Sequence, residues 1–365
     1  MRFNTNELEK VAEGAAFLGT GGGGDPYLGR LVAQSTYRRY GAPEIIDVDA
    51  LADDANVYIA AMMGAPTVML EKILGVPELD LAVAALEKYT GKKADAILPA
   101  EVGGCNSMLP LALASARGLP VINADGMGRA FPELQMVTFN VLGVNASPMS
   151  MANEHGESII INARNSQETE NKARKLIIDM GGSSAISCYP MDGATVKRTA
   201  IPGTLSLAHD IGDALAAGRK SGGAVNALIH YLRSTVYYQH AYKLFEGKIA
   251  GVESKVSEGF TRGECEIRAF GEQSRSMIIE YQNENLVARV NGKLVAMVPD
   301  LICIVDADTG APITTERLKY GQRVAVIVAS VPPIMRSDAA LAVFGPRAFG
   351  YDVDYVPVEV LAVND

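Results

Sequence analysis

From about Ile249 to the end of the chain, apolar side chains recur at every second residue in IAGVESKV, GECEIRAF, SMIIEYQ, NLVARVNGKLVAMVP, DLICIVD and RVAVIVAS, with Gly, Asn and Asp turns between them. A period of two sends successive side chains to opposite faces of a strand, so this last third folds as sheet with one face turned inward. Asn291 and Gly292, at the centre of VNGKLV, suit the positive φ values of a two-residue hairpin and make the flanking strands antiparallel.

The first half has a different rhythm. Short apolar runs at Glu44–Val48, Val57–Met62, Ala94–Pro99 and Pro120–Asn123 alternate with helical stripes at Thr5–Phe17, Pro66–Ile73, Leu79–Tyr89 and Asn106–Ala116. Thr5 or Asn6 is available to cap the first of these. Asp25 followed by Pro26 fits an N-cap and first helical position, so another helix starts there and runs toward Tyr37. Such alternation predicts a mostly parallel sheet covered by helices, with ligands collected by the loops that follow the strands. Beyond it the pattern predicts a helix near Pro132–Val141, a strand at Ser158–Asn162, a helix at Glu168–Asp179, a strand in SSAISCYP, and helices at Leu205–Ala217 and Gly223–Leu228. A chain of 365 residues exceeds the size at which one core keeps growing. The expectation is therefore an α/β N-terminal domain with a mostly parallel sheet at 1–165, followed by an α+β second domain at 166–365 with a largely antiparallel C-terminal sheet.

With 33 basic and 42 acidic residues the net charge is −9, a field that repels polyanions and opposes nucleic-acid binding. Apolar residues make up 48% of the chain, enough for sizeable cores. No run reaches the roughly 18 apolar residues of a membrane span, and the opening MRFNTNELEKVAEGAAF meets acids before any long apolar stretch, so cytoplasm is the expected compartment. Cys105, Cys188, Cys265 and Cys303 are far apart and form no CxxC pair, which reads as reduced thiols.

Several stretches carry groups suited to chemistry. Gly21, Gly22, Gly23 and Gly24 precede a helix start, where bare backbone can approach a ligand and donate N–H groups, or simply connect two helices. The run lacks the Lys-Ser/Thr end of a P-loop and follows a helix instead of a strand, so no nucleotide cofactor is expected. Glu101, just past a strand in LPAEVGGCNSM, suits a base, a metal ligand or a structural acceptor. Asn106 could orient a ligand or cap the next helix. Asp125, Arg129 and Glu133 are spaced by four: on a helix they share a face, and on a loop they could hold a water, a metal or a substrate carboxylate. His155 is a further proton-transfer candidate, whereas Asn283, Glu284, Asn285 and Asp300 read as structural groups of the second sheet. G-x-S-x-G and zinc spacings are absent; a divalent metal is conceivable but not indicated.

Together LGTGGGG-DP, EVGGCN, DGMGRAFPE, GFTRGECEI, YQNENLVA, VPDLI, TTERLKYG and GPRAFGYD resemble the S-methyl thiohydantoin desulfurase-like family from Leu18 to Pro357. The resemblance implies a two-domain enzyme that removes sulfur from C2 of an S-methylated thiohydantoin, a small polar heterocycle, giving a hydantoin and methanethiol. Members often accompany hydantoinase or oxoprolinase genes, which implies such a partner. On this reading Glu101 or Asp125 is the base and His155 a weaker proton carrier, while Arg129, Asn106, Glu133 and the glycine amides orient the ring. Alternatives are an amidohydrolase that opens a hydantoin or oxoproline-type ring, and a non-enzymatic accessory subunit of a hydantoinase system. A closed homo-oligomer is the expected assembly.

Overall fold

The structure, a computed structural model, describes residues 1–64, 75–257, 260–271 and 274–362. The expected helix at Pro66–Ile73 lies outside the described residues. The central sheet of the first half has the order β1 (Ile45–Ile46), β5 (Val121–Ile122), β4 (Ala96–Leu98), β2 (Asn56–Ile59), β10 (Met191–Asp192). Its first four strands are parallel, and β10 closes the edge antiparallel to β2. Because the strands run the same way, the chain leaves β2, β4 and β5 on one side of the sheet.

A second sheet has the order β3 (Ala61–Gly64), β9 (Ser183–Ser187), β7 (Met149–Ala152), β8 (Ser158–Ile161) and is antiparallel throughout. The apolar run at Val57–Met62 therefore serves two sheets, because the chain passes from β2 into β3 at Ala60. A small pair, β6 (Ala124–Asp125) with β11 (Ile201–Pro202), follows β5 directly.

Asp25 caps the helix Pro26–Tyr40 by accepting from the Tyr27 N–H, with Pro26 in its first turn, as the sequence predicts. The opening helix runs Glu7–Leu18, yet neither Thr5 nor Asn6 caps it; Asn4 Oδ1 accepts from the N–H groups of Asn6 and Glu7 instead. The helix expected at Pro132–Val141 shrinks to Thr138–Val141. Residues 126–137 are irregular because their backbone is anchored to buried side chains and to neighbouring loops.

The C-terminal sheet has the order β16 (Lys293–Met297), β15 (Glu284–Val290), β14 (Ser276–Gln282), β13 (Phe260–Ala269), β12 (Ala241–Ser257), β18 (Arg323–Ala329), β17 (Leu301–Asp306), every pair antiparallel. Asn291, at φ 47°, and Gly292, at φ 82°, make the predicted hairpin turn between β15 and β16. The sheet starts at Ala241, ahead of the first alternating run, because β12 is long enough to pair with β18 at one end and β13 at the other. Alternate residues such as Ile249, Cys265, Ile267 and Ile279 are buried on one face, which gives this sheet its own core.

Two backbone bonds fasten the glycine run to the second half of the chain: Asn285 N–H, in β15, donates to Thr20 O, and Thr315 N–H, in the turn between β17 and β18, to Gly21 O. Among the described residues no helix is long and apolar enough to cross a membrane.

Candidate active site

The loops leaving the central sheet, the glycine run and the β14–β15 turn converge on one cavity of about 90 Å³. A water needs roughly 10–15 Å³ measured in this way, so the space suits several waters or one small ring. Gly23 and Gly24 form part of its wall, the chain from Ala61 to Gly64 another, and Met127, Phe131 and Leu134 supply an apolar surface.

Three buried carboxyl groups line this space, Glu101, Glu170 and Glu284. Glu170 has both oxygens engaged, Oε1 by Arg174 Nε and Oε2 by the Leu134 N–H, which leaves Glu101 and Glu284. Glu101 comes from the loop after β4, where the expected strand-to-turn geometry holds. Its Oε1 accepts from Asn106 Nδ2 at 2.8 Å, and its Oε2 has no hydrogen-bond partner. Glu284 opens β15, immediately after Asn283, a non-glycine residue held at φ 59°. Its Oε1 accepts from the Gly23 N–H at 3.2 Å, and its Oε2 is likewise unpartnered.

Burial holds the Glu101 carboxyl well above its ordinary value; the Asn106 amide and, more weakly, the nearby Phe131 N–H oppose this, and the neighbouring Glu284 and Asp125 reinforce it. Burial also pushes Glu284 up to about 8, against the pull of the Arg129 charge. Two buried acids that repel each other do not ionise together, so one keeps its proton while the other gives it up.

The glycine run makes this approach possible. A Cβ on Gly22 would lie 2.1 Å from Glu284 Oε1, and one on Gly23 would lie 2.7 Å from Gly103 O. Gly23 O in turn accepts from the Cys105 N–H, which joins the run to the EVGGCN turn. Next to the cavity, Arg174 donates to Glu170 and to Pro132 O and lies over the Phe260 ring.

Family models match the chain in two consecutive pieces: the S-Me-THD-like N-terminal domain over residues 6–163, and the S-Me-THD-like C-terminal domain over residues 163–358. The chain belongs to the S-Me-THD-like family. It is also similar in fold to a protein from Chromobacterium violaceum with a solved crystal structure, at TM-score 0.83 and 24% identity, covering 98% of this chain and 100% of that one. No curated protein matches it.

In this S-Me-THD-like chain the residues singled out from the sequence divide by placement. Glu101, Asn106, Glu133, Gly23 and Gly24 line the cavity, whereas Gly21 and Gly22 stand behind it and hold the β14–β15 turn. Glu133 Oε2 accepts from Gln135 Nε2 at 2.6 Å.

Asp125 and Arg129 are both fully buried but are not among the cavity-lining residues. Asp125 Oδ2 accepts from the N–H groups of Val102, Met127 and Gly128, which shapes the loops beside Glu101. Burial, opposed chiefly by the Val102 N–H, pushes its pKa up to about 7. Arg129 spends its guanidinium on protein acceptors, so the expectation that it grips a substrate carboxylate gives way to an internal clamp. The helical alternative for Asp125, Arg129 and Glu133 fails because that segment is loop. His155 sits on the exposed turn between β7 and β8 with a side chain 75% exposed, away from the cavity.

Glu284 is the group the sequence reading passed over. It stands within an alternating strand pattern, where a carboxylate reads as a structural or surface group, and its partner glycine is 261 positions away. The signal that could have found it is the polar triplet Asn283-Glu284-Asn285 interrupting an apolar strand.

Among the described residues no group of three or more His, Cys, Asp and Glu is placed to hold a metal ion. Glu101 and Glu284 alone are a poor donor set for one, and no step below is routed through a metal.

The position of Asp125 yields an expected result. Asp125→Asn keeps a carbonyl oxygen for the three N–H donors and offers an amide N–H toward the neighbouring Thr204 hydroxyl, which lies beside the carboxyl. The variant folds and keeps turnover within about tenfold, whereas removing an acid–base group costs roughly 10²–10⁴-fold. A loss in the larger range, measured on folded protein, would return Asp125 to the reacting groups.

Proposed function

We propose that this chain hydrolyses the carbon–sulfur bond at C2 of a small S-methylated thiohydantoin-type ring, releasing methanethiol and leaving a hydantoin. The observation that carries this reading is the pair Glu101 and Glu284, two buried carboxyls in one small cavity, each with one anchored and one unpartnered oxygen. Family membership supplies the ring class.

Glu101, whose carboxyl burial holds well above its ordinary value, is the proton donor, and Glu284, with the Gly23 N–H and the charge of Arg129 to favour its anion, is the base. Ionised Glu284 takes a proton from a water as its oxygen bonds to C2, the electron pair of the C2–N double bond moves to the ring nitrogen, and Glu284 passes the proton on to that nitrogen. When this tetrahedral intermediate collapses, the C2–S bond breaks, Glu101 gives its proton to the departing sulfur, and the C2 hydroxyl becomes the carbonyl by returning its proton to the Glu101 carboxylate. The balance is one ring and one water in, one hydantoin and one methanethiol out. Met127, Phe131 and Leu134 keep bulk water from the ring, which strengthens each charge interaction there.

The test is incubation of the purified chain with S-methylated thiohydantoins and with hydantoins, followed by mass spectrometry. One methanethiol per hydantoin formed supports the proposal, and turnover by the chain alone excludes a purely accessory role. Release of ring-opened acids without methanethiol would replace it with an amidohydrolase reaction.

The buried acids also set a stability signature. In the folded chain Glu284 keeps its proton to about pH 8, whereas unfolded it loses the proton near 4.5. The folded state thus binds the proton more tightly, and stability falls as pH rises from 4.5 toward 8. Glu284→Gln keeps an oxygen for Gly23 N–H and removes the titration, so it is more stable than the wild type at pH 8 by roughly 1–3 kcal/mol, a gain that vanishes at pH 4.5. Denaturant melts at the two pH values check this, and an equal difference at both contradicts it.

A further inference from the structure

Asn106 was a candidate for holding the ring, yet its side chain has no N–H left to offer. Its Oδ1 accepts from the Met62 N–H at 2.8 Å, and its Nδ2 donates to Met62 O at 3.0 Å and to Glu101 Oε1 at 2.8 Å. An asparagine amide has two N–H donors, and both are used.

The orientation of this amide is fixed by the main chain. Met62 presents an N–H and a carbonyl side by side, so the oxygen of Asn106 must meet the first and its nitrogen the second. Turning the amide over would set donor against donor and acceptor against acceptor. The remaining N–H of Asn106 therefore always faces Glu101.

This has a chemical consequence for the acid. A protonated carboxyl has one carbonyl oxygen and one hydroxyl oxygen, and the carbonyl oxygen is the better acceptor. With Asn106 donating to Oε1, the carbonyl is Oε1 and the hydroxyl is Oε2, the atom that has no partner inside the protein.

We propose that Asn106 is a positioning residue that, by clamping across Met62, assigns the proton of Glu101 to Oε2 and so keeps the transferable proton on the oxygen left free for a ligand. The inference rests on Glu101 being the acid of the reaction proposed above. It adds that β3, which carries Met62, belongs to the machinery through the backbone N–H and carbonyl of that one residue.

The test uses Asn106→Asp, which has the same shape and keeps the acceptor for Met62 N–H. When ionised, the introduced carboxylate cannot donate to Glu101 Oε1 or to Met62 O, and it adds a negative charge beside the acid. Protonation restores one donor. Turnover is therefore expected to fall at least about 10²-fold at pH 8, with the deficit shrinking as pH is lowered, so that the optimum moves to the acid side of the wild type. A folded Asn106→Asp enzyme whose pH profile parallels the wild type, whatever its rate, would overturn the proposal, because a merely structural defect lowers rate without moving the optimum.

A second measurement does not require turnover or a stable Asn106→Asp protein. Infrared spectra of the wild type at neutral pH are expected to contain a protonated-carboxyl C=O band that disappears in Glu101→Gln. In Asn106→Ser that band should shift to higher frequency, since its carbonyl has lost a donor. An unshifted band refutes the assignment. If the wild type turns over no S-methylated ring while the band behaves as expected, the proposed reaction fails and the positioning of the Glu101 proton stands.

Discussion

Glu101→Gln is expected to lower kcat for release of methanethiol by roughly 10²–10⁴-fold, the range of a lost general acid, while the protein remains folded. The substitution keeps the volume of the side chain and an oxygen to accept from Asn106 Nδ2. On the proposed reaction, what it removes is the proton that the sulfur takes as the C2–S bond breaks. Substrate still enters the same cavity, so KM changes less than kcat. The wild-type pH profile carries the same logic. Activity rises as Glu284 ionises, a step that burial moves up to about 8, and falls where Glu101 loses its proton. In Glu101→Gln the alkaline limb should disappear along with most of the rate. Steady-state assays of folded variant across pH check both parts, and near-normal kcat would remove Glu101 from the acid role.

Arg129→Met produces the largest stability loss, at least about 3 kcal/mol, read as a lower denaturant midpoint. Arginine has five N–H donors, and each finds an acceptor here: Ala130 O, Pro299 O, Asp300 O, Thr20 Oγ1 and Asn285 O, between 2.7 and 3.3 Å. The guanidinium also lies 4.6 Å from the centre of the Phe131 ring. Burial lowers its pKa to about 10, so it remains charged at neutral pH. Methionine fills much of the space but leaves those acceptors buried and unpaired. Thr20, held at φ 48° where a β-branched residue is strained, loses the bond that helps keep it there. The glycine run then loosens from β15, so Glu284 is misplaced and turnover drops with stability. An unchanged midpoint would contradict this role.

The difference between what the sequence displays and what it conceals follows from range. Asp25-Pro26 specifies a helix start within three residues, and Asn291-Gly292 specifies a hairpin within four, so both are visible locally. Glu101 is visible because a parallel sheet brings the ends of its strands to one side, and a carboxylate just past such a strand falls there by construction. Arg129 misleads for a physical reason: a cation just after two glycines resembles a ligand clamp, and nothing local reveals that Pro299, Asp300 and Asn285 turn their carbonyls toward it. Asp125 misleads in the same way, since its three N–H partners lie in loops whose path is not periodic. Glu284 and the saturation of Asn106 by Met62 depend on contacts between distant segments, which no spacing rule encodes.

The most direct test of the shared cavity is a crystal structure of the chain with a hydantoin bound as product. The ring should sit between the two acids, with its polar atoms within about 2.6–3.2 Å of Oε2 of Glu101 and of Glu284. A hydantoin ordered elsewhere on the protein, with both of those oxygens untouched, would contradict the account.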